Sequence, residues 1–390
     1  MSFQSGTATG YDDLLNQLDT YLTGQGMCLS PLFTGAGNGL ISNLQGGAAS
    51  LAENITITFT ASNAFNVAGS VSGAIGAGTV GTAFASSKLN FLITAGSIPF
   101  AAGDTFTFST TVPWTSERRV AGSEMIWKAP GNGNTEQIFV GAKTFSNSGA
   151  DYYNWRLGGF VAFDAALDFF HQAGYPGGPG QANPSPVLNL WNQGINYWFV
   201  ANGRRVVIVA KISSVYMMAY LGLLSSYVSP GAFPYPLVVG GSMAWSGEPG
   251  PTDTRWRWSY TGPEMSNFPF SYNSVLSYFY QSQVLLRLPT GNWDGFSHYN
   301  GNNQPWGRVW PYTLGPTNLG KNLDGGYALF PIVYHDIVPN NVYGEPEGVD
   351  CVTGVQNAAE NTITIGSSIY LVVQNVFRNT SIDYCAVKLI

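Results

Sequence analysis

Polar and apolar residues alternate in short runs through most of this chain. Asn54 to Thr60 sets the pattern: Ile55, Ile57 and Phe59 interleave with Thr56, Thr58 and Thr60, and that period of two predicts a half-buried strand. Phe65 to Val71, Leu89 to Thr94 and Thr105 to Thr111 repeat it, divided by Gly69, Gly73, Gly76, Gly78, Gly81 and Gly103. Residues 51–112 therefore read as a small antiparallel β-sandwich module. Its glycine-rich run GAIGAG, Gly73 to Gly78, lacks the lysine of a phosphate-binding loop and is expected to be a turn between strands.

One segment clearly switches to the helical period. Leu14, Leu15, Leu18 and Leu22 follow Asp12 and Asp13, predicting a short amphipathic helix over Tyr11 to Leu22 that docks by its leucine stripe. Gly24, Gly26, Pro31, Gly35, Gly37 and Gly39 then break the chain, so 1–50 is expected to be this helix followed by an irregular arm.

Beyond Pro113, residues 113–390 read as a larger β-rich domain. Strands are expected at Gln137 to Lys143, Asn196 to Val200, Arg205 to Ile212 and Leu237 to Val239. The run VVIVAKI, Val206 to Ile212, is dense enough in β-branched residues to be buried on both faces. Ser274 to Leu288 is open between an amphipathic helix and a pair of strands, with Tyr278, Phe279 and Tyr280 favouring strand. The tail ends in Asn361 to Ile365, Ile369 to Val376 and Tyr384 to Leu389, with turns at Gly366 and Asn379. Tyr175 to Pro186 and Glu248 to Pro251 are Pro/Gly stretches that need a surface to lie against, and they are expected to be interface loops. No fixed-period repeat or heptad is present. The fold class that follows is mainly β, a multi-domain antiparallel β-sandwich-like architecture with a short N-terminal helix.

Composition changes the picture in one respect. Charged residues are 10% of the 390 and aromatics 14%, with a net charge of -6. Disorder requires the opposite balance. A folded chain with so little charge exposes neutral surface, which suits a subunit packed against neighbours, a homo-oligomer among them. The acidic pI near 5.0 argues against a nucleic-acid partner. Arg118-Arg119 and Arg204-Arg205 are isolated pairs, the second expected at a solvated strand end. Neither a secretion signal nor a run of roughly eighteen apolar residues is found, so membrane insertion is not expected.

Candidate chemistry is sparse. His171, His298 and His335 are far apart and form no metal motif, and neither a cofactor fingerprint nor a nucleophile elbow is present. Cys28, Cys351 and Cys385 imply no disulfide framework, and a Cys351–Cys385 bridge is left open. Asp164, Asp168, Glu248, Asp253 and Asp294 lie in aromatic surroundings and are the carboxylates a glycosidase would draw on. Arg255 and Arg257 alternate with Trp256 and Trp258, which predicts a strand with Arg on one face and Trp on the other. It is the first candidate interface, because buried Arg and Trp anchor protein contacts. Tyr227 to Pro236, with Tyr227, Phe233 and Tyr235, is the second. Trp293, Phe296, Tyr299, Trp306 and Trp310 add rings that could stack on sugars or bury subunit contacts.

Four segments carry a resemblance: DYYNWRL (Asp151 to Leu157), YWFVANGRRVVIVAK (Tyr197 to Lys211), FPYPLVVGGS (Phe233 to Ser242) and VVQNVFR (Val372 to Arg378). From about Asp151 onward the chain resembles virion structural proteins of tailed bacteriophages. The text from Gly81 to Phe108 is similar to β-sandwich modules embedded in phage tail and adhesin proteins. The resemblance implies a non-enzymatic component of the tail, baseplate or collar, located in the virion and bound to copies of itself and to other phage virion proteins. Rival readings are a receptor-binding protein that recognises a host-surface glycan, a head-surface decoration protein, and a glycan-cleaving virion enzyme.

Overall fold

The computed structural model describes residues 2–131, 136–176, 185–244, 256–261, 265, 267–269, 284–295, 309–310, 320–336, 341–366, 368–377, 381 and 383–390. The protein is mainly β, with several antiparallel sheets and one short helix near the N-terminus.

A seven-stranded sheet forms the middle of the molecule, in the order Ser2–Ala8, Ile195–Ala201, Arg205–Ile212, Val215–Leu223, Leu237–Gly240, Val284–Arg287 and Trp293–Gly295. One of its faces packs on a six-stranded sheet ordered Thr115–Val120, Glu124–Ala129, Ile138–Asn147, Tyr152–Phe160, Pro186–Leu190 and Met243–Ala244. Val206, Ile208, Ala210 and Ile212 enter that core beside Trp127, Val140, Trp155 and Leu188. The alternate residues Val207 and Val209 enter a second core beside Tyr334, Val349, Leu371 and Val387. Three β layers thus stack with the seven-stranded sheet in the centre, which is why VVIVAKI carries apolar residues on both sides. Each fully buried aliphatic side chain there contributes roughly 1.5–3 kcal/mol relative to exposure.

The outer layer on the second face is C-terminal. It combines a five-stranded sheet, Phe330–Pro331, Val349–Cys351, Tyr384–Lys388, Ser368–Gln374 and Thr362–Ile365, with a smaller sheet ordered Ser225–Ser226, Val342–Glu345, Val333–His335 and Val309–Trp310.

The helix, Tyr11–Gly24, runs slightly past its expected end, and Leu14, Leu15, Leu18, Tyr21 and Leu22 are buried in the first core. Asp13 holds its N-terminus by accepting the Thr9 N–H at 2.8 Å. Tyr21 Oη ties the helix to the central sheet, donating to Ser2 O and accepting the Ala201 N–H at 3.1 Å.

Two sheets around a phenylalanine-rich core make the small module: Leu32–Thr34, Thr105–Thr110, Glu53–Ala61, Ala64–Gly69 and Gly73–Thr79 in one, Leu40–Gly46, Leu89–Thr94 and Ala83–Ala85 in the other. Three expectations are corrected here. The N-terminal arm is not irregular, because Leu32–Thr34 and Leu40–Gly46 complete the module's two sheets and Ser2–Ala8 joins the central one. GAIGAG is a strand, paired with Ala64–Gly69 through a register shift at Val67/Ala68. Glycine is required there by close packing, since a Cβ at Gly78 would run into the Phe65 ring and one at Gly76 would press on Phe84 at 3.2 Å. Arg205 is not at a solvated strand end: it is fully buried, and its guanidinium donates to Val200 O at 2.9 Å.

Candidate interaction surface

The first candidate, Arg255 to Trp258, is no strand over its described residues, 256–258. Residues 256–259 turn, and Arg255 lies outside the described residues. Trp256 is fully buried in the first core, edge-on to Phe145 at 5.3 Å between ring centres. Its backbone carbonyl accepts N–H groups from Asn154 (2.9 Å) and Asn189 (3.1 Å), which are themselves buried. Arg257 Nε donates to Ala150 O at 2.7 Å, and Trp258 packs edge-on against Trp191 at 5.2 Å. The segment packs into the first core, and Trp256 is withdrawn from the surface. Alternation misled because a turn anchored by two asparagines can bury one ring of a repeating pair without forming a ladder.

The second candidate is a closed loop. Leu224 N–H donates to Pro236 O (2.8 Å), Tyr227 N–H to Tyr343 O (3.0 Å) and Phe233 N–H to Ser229 O (3.0 Å). Phe233 is only 2% exposed and packs on Tyr343, so it anchors the loop and presents no contact. Tyr227 and Tyr235 point outward, 54% and 38% exposed. Tyr227 Oη donates to Glu345 Oε2 at 2.6 Å, and Arg287 lies over the Tyr235 ring at 5.9 Å. Partial burial and the adjacent Glu345 carboxylate push the Tyr227 phenol up to about 12. Beside the loop, Asp350 is raised to about 6 by burial and by Glu345. Glu347 accepts the Asn202 side-chain N–H at 2.7 Å. Among the described residues no cluster of His, Cys, Asp or Glu is placed to hold a metal ion.

The carboxylates considered for glycan cleavage serve the backbone where they are described. Asp164 accepts the Ala166 N–H, Asp168 those of Phe170 and His171, and Asp294 that of Gly295. His171 lies 2.8 Å from Asp168 and holds that carboxyl below its ordinary range, opposite to what a general acid needs. Glu248 and Asp253 lie outside the described residues, as do His298, Phe296, Tyr299, Trp306, most of Ser274 to Leu288, all of Glu248 to Pro251 and the middle of Tyr175 to Pro186. Trp293 is described: its indole N–H donates to Gly174 O at 2.7 Å.

Sequence reasoning missed one surface feature. Gly73–Thr79 is the outermost strand of its sheet, largely exposed, and contains neither a charged residue nor a proline. Just before it stands Val71, which is 68% exposed. The signal for it is the small-residue alternation of GAIGAG, whose glycine content by itself predicts a turn.

No protein-family model matches this chain, and no curated protein does. Among solved structures, the chain has a limited likeness to FlgL of Xanthomonas campestris in two crystal forms. One match is 17% identical with a TM-score of 0.19, covering 24% of this chain and 34% of that one. The other is 20% identical with a TM-score of 0.18, covering 23% and 30%. The chain thus spans about a third of the length of the solved protein it matches.

Proposed function

We propose that this chain is a structural subunit of a tailed-bacteriophage virion, in the tail, baseplate or collar, that binds copies of itself and neighbouring virion proteins. The observation that carries this reading is the uncharged outer strand Gly73–Thr79. An edge strand offers a row of unpaired N–H and C=O groups, and proteins that must stay apart usually block it with lysine, proline or a covering loop. A strand from another copy fits such an edge by extending the sheet. The low charge and the phage-like segments from Asp151 onward support the same assignment.

Two measurements test it. Ala77 is exposed on this strand, and Ala77→Lys places a charge on the edge without entering the core. The variant is expected to sediment as a smaller species than the parent and to enter particles poorly. Unchanged sedimentation and incorporation would remove the edge from the proposal. A cryo-EM map of the particle in which no density fits the chain would remove the virion assignment itself.

Tyr227 and Tyr235 favour a second reading, recognition of a host-surface glycan, because exposed rings beside the Glu345 carboxylate can stack on and hydrogen-bond a sugar. Purified protein would then compete with phage adsorption, and the Tyr227→Ala, Tyr235→Ala double variant would not. Absence of competition by the parent protein rejects it.

A further inference from the structure

Cys351 and Cys385 stand opposite one another where Val349–Cys351 pairs with Tyr384–Lys388. Their register position decides what the side chains can do. Val352 N–H donates to Tyr384 O at 3.2 Å, and Lys388 N–H donates to Gly348 O at 2.8 Å. Hydrogen-bonded pairs alternate along an antiparallel ladder, so the two cysteines occupy a non-hydrogen-bonded position between them. Facing Cα atoms at such a position are roughly 4.5 Å apart, and their side chains leave the same face of the sheet. Disulfides span roughly 4.4–6.8 Å between Cα atoms, so the pair falls at the short end of that range.

Both side chains enter the same core layer, 3% and 2% exposed. Cys28, the third thiol, is buried in the core of the small module and does not compete for either partner.

We propose that Cys351 and Cys385 form an intramolecular disulfide site, a facing dithiol that a small-molecule disulfide such as oxidised glutathione converts into a cross-strand bond. One cysteine thiolate attacks the glutathione disulfide, forming a mixed disulfide and releasing one glutathione thiolate. The second cysteine thiolate attacks the protein sulfur of that mixed disulfide, closing the Cys351–Cys385 bond and expelling the other glutathione. The two protons lost by the protein end on the two glutathione thiols, and the protein loses the two electrons that glutathione gains.

Burial holds both thiols well above their ordinary range, which keeps the reactive thiolate scarce while the sheet is closed. On the side away from Tyr384–Lys388, Cys351 pairs with the two-residue strand Phe330–Pro331 at the margin of the sheet, with Phe330 facing Cys351. Local opening at this margin governs the rate. Once formed, the bond encloses Thr362–Ile365 and Ser368–Gln374 in a covalent loop and fixes the C-terminal layer. The inference holds whether or not the chain is a virion subunit.

The test exposes the full-length protein to oxidised glutathione in two arms, one folded and one refolding from denaturant, then alkylates all remaining thiols under denaturing conditions. Peptide mapping is expected to find Cys351 joined to Cys385, Cys28 alkylated, and a melting temperature several degrees higher that falls back on reduction. A Cys351–Cys385 peptide in either arm, with that reversible rise, supports the site. Both cysteines alkylated in both arms, stable glutathione adducts without ring closure, or crosslinks to Cys28 would overturn it. Cys28→Ala keeps the result readable, because it leaves the facing pair as the only thiols in the chain.

Discussion

Replacing Trp256 by alanine separates a core residue from an interface residue by magnitude. The ring is fully buried, and its removal leaves a cavity lined by side chains that cannot all collapse into it. Truncating a buried tryptophan costs about 3–5 kcal/mol, of which roughly 0.5–1.5 kcal/mol is the edge contact with Phe145. One term runs the other way: the Trp256 indole N–H is buried and meets no acceptor among the described residues. Leaving such a donor unsatisfied costs about 1–3 kcal/mol, a penalty that Trp256→Phe relieves while keeping most of the volume. Trp256→Phe is therefore expected to cost less than half as much as Trp256→Ala. Urea unfolding followed by tryptophan fluorescence gives both values from the midpoint shift at constant slope. A loss below about 1 kcal/mol for Trp256→Ala, together with weakened self-association, would refute the core assignment and restore Trp256 as a contact residue.

Other outcomes follow from buried polar groups and from the small module. Asp350 titrates at about 6 instead of 3.8, so between those values the folded chain keeps a proton that the unfolded chain has released. Stability should then fall as pH rises from about 4 to about 6, and Asp350→Asn should stabilise the protein at pH 7 by on the order of 2 kcal/mol, less whatever Lys388 gains from the charge. Urea midpoints at pH 4 and pH 7 check this, and equal effects at both would contradict it. Asp19 is buried and accepts the Trp127 indole N–H at 2.8 Å while pairing with Arg119. Asp19→Leu should cost about 1–3 kcal/mol by orphaning that donor, whereas Asp19→Asn, which retains an acceptor, should cost clearly less in the same assay. Gly78→Val drives a side chain into the Phe65 ring and is expected to destabilise the small module by about 1–3 kcal/mol, read as early loss of hydrogen-exchange protection in 53–110.

The sequence spoke clearly wherever one face of an element is buried. Alternation placed Glu53–Ala61 and Leu89–Thr94 within a residue or two, and the leucine stripe placed the helix. Two-sided burial of Val206 to Ile212 was also legible, because no polar period interrupts it. Reading failed where long-range partners decide. Ser2–Ala8 has little alternation of its own and is a strand only because Ile195–Ala201 supplies the ladder. Gly73–Thr79 is extended because rings from neighbouring strands occupy the space its side chains would need. In the candidate surfaces, composition found the aromatic segments but could not orient them: Tyr227 and Tyr235 face outward, while Phe233 and Trp256 face in. Cross-strand register, which sets Cys351 against Cys385, is likewise invisible without the sheet.

Pairing Ser2–Ala8 with Ile195–Ala201 has a consequence for biogenesis. During translation Ser2–Ala8 is made well before its ladder partner Ile195–Ala201. Closing so long a loop delays nucleation of the middle layer and keeps the leucines of the helix without their destination for that interval. Nascent chains stalled before Ile195–Ala201 is made and after it has left the ribosome should therefore differ sharply in protease resistance of Ser2–Gly24.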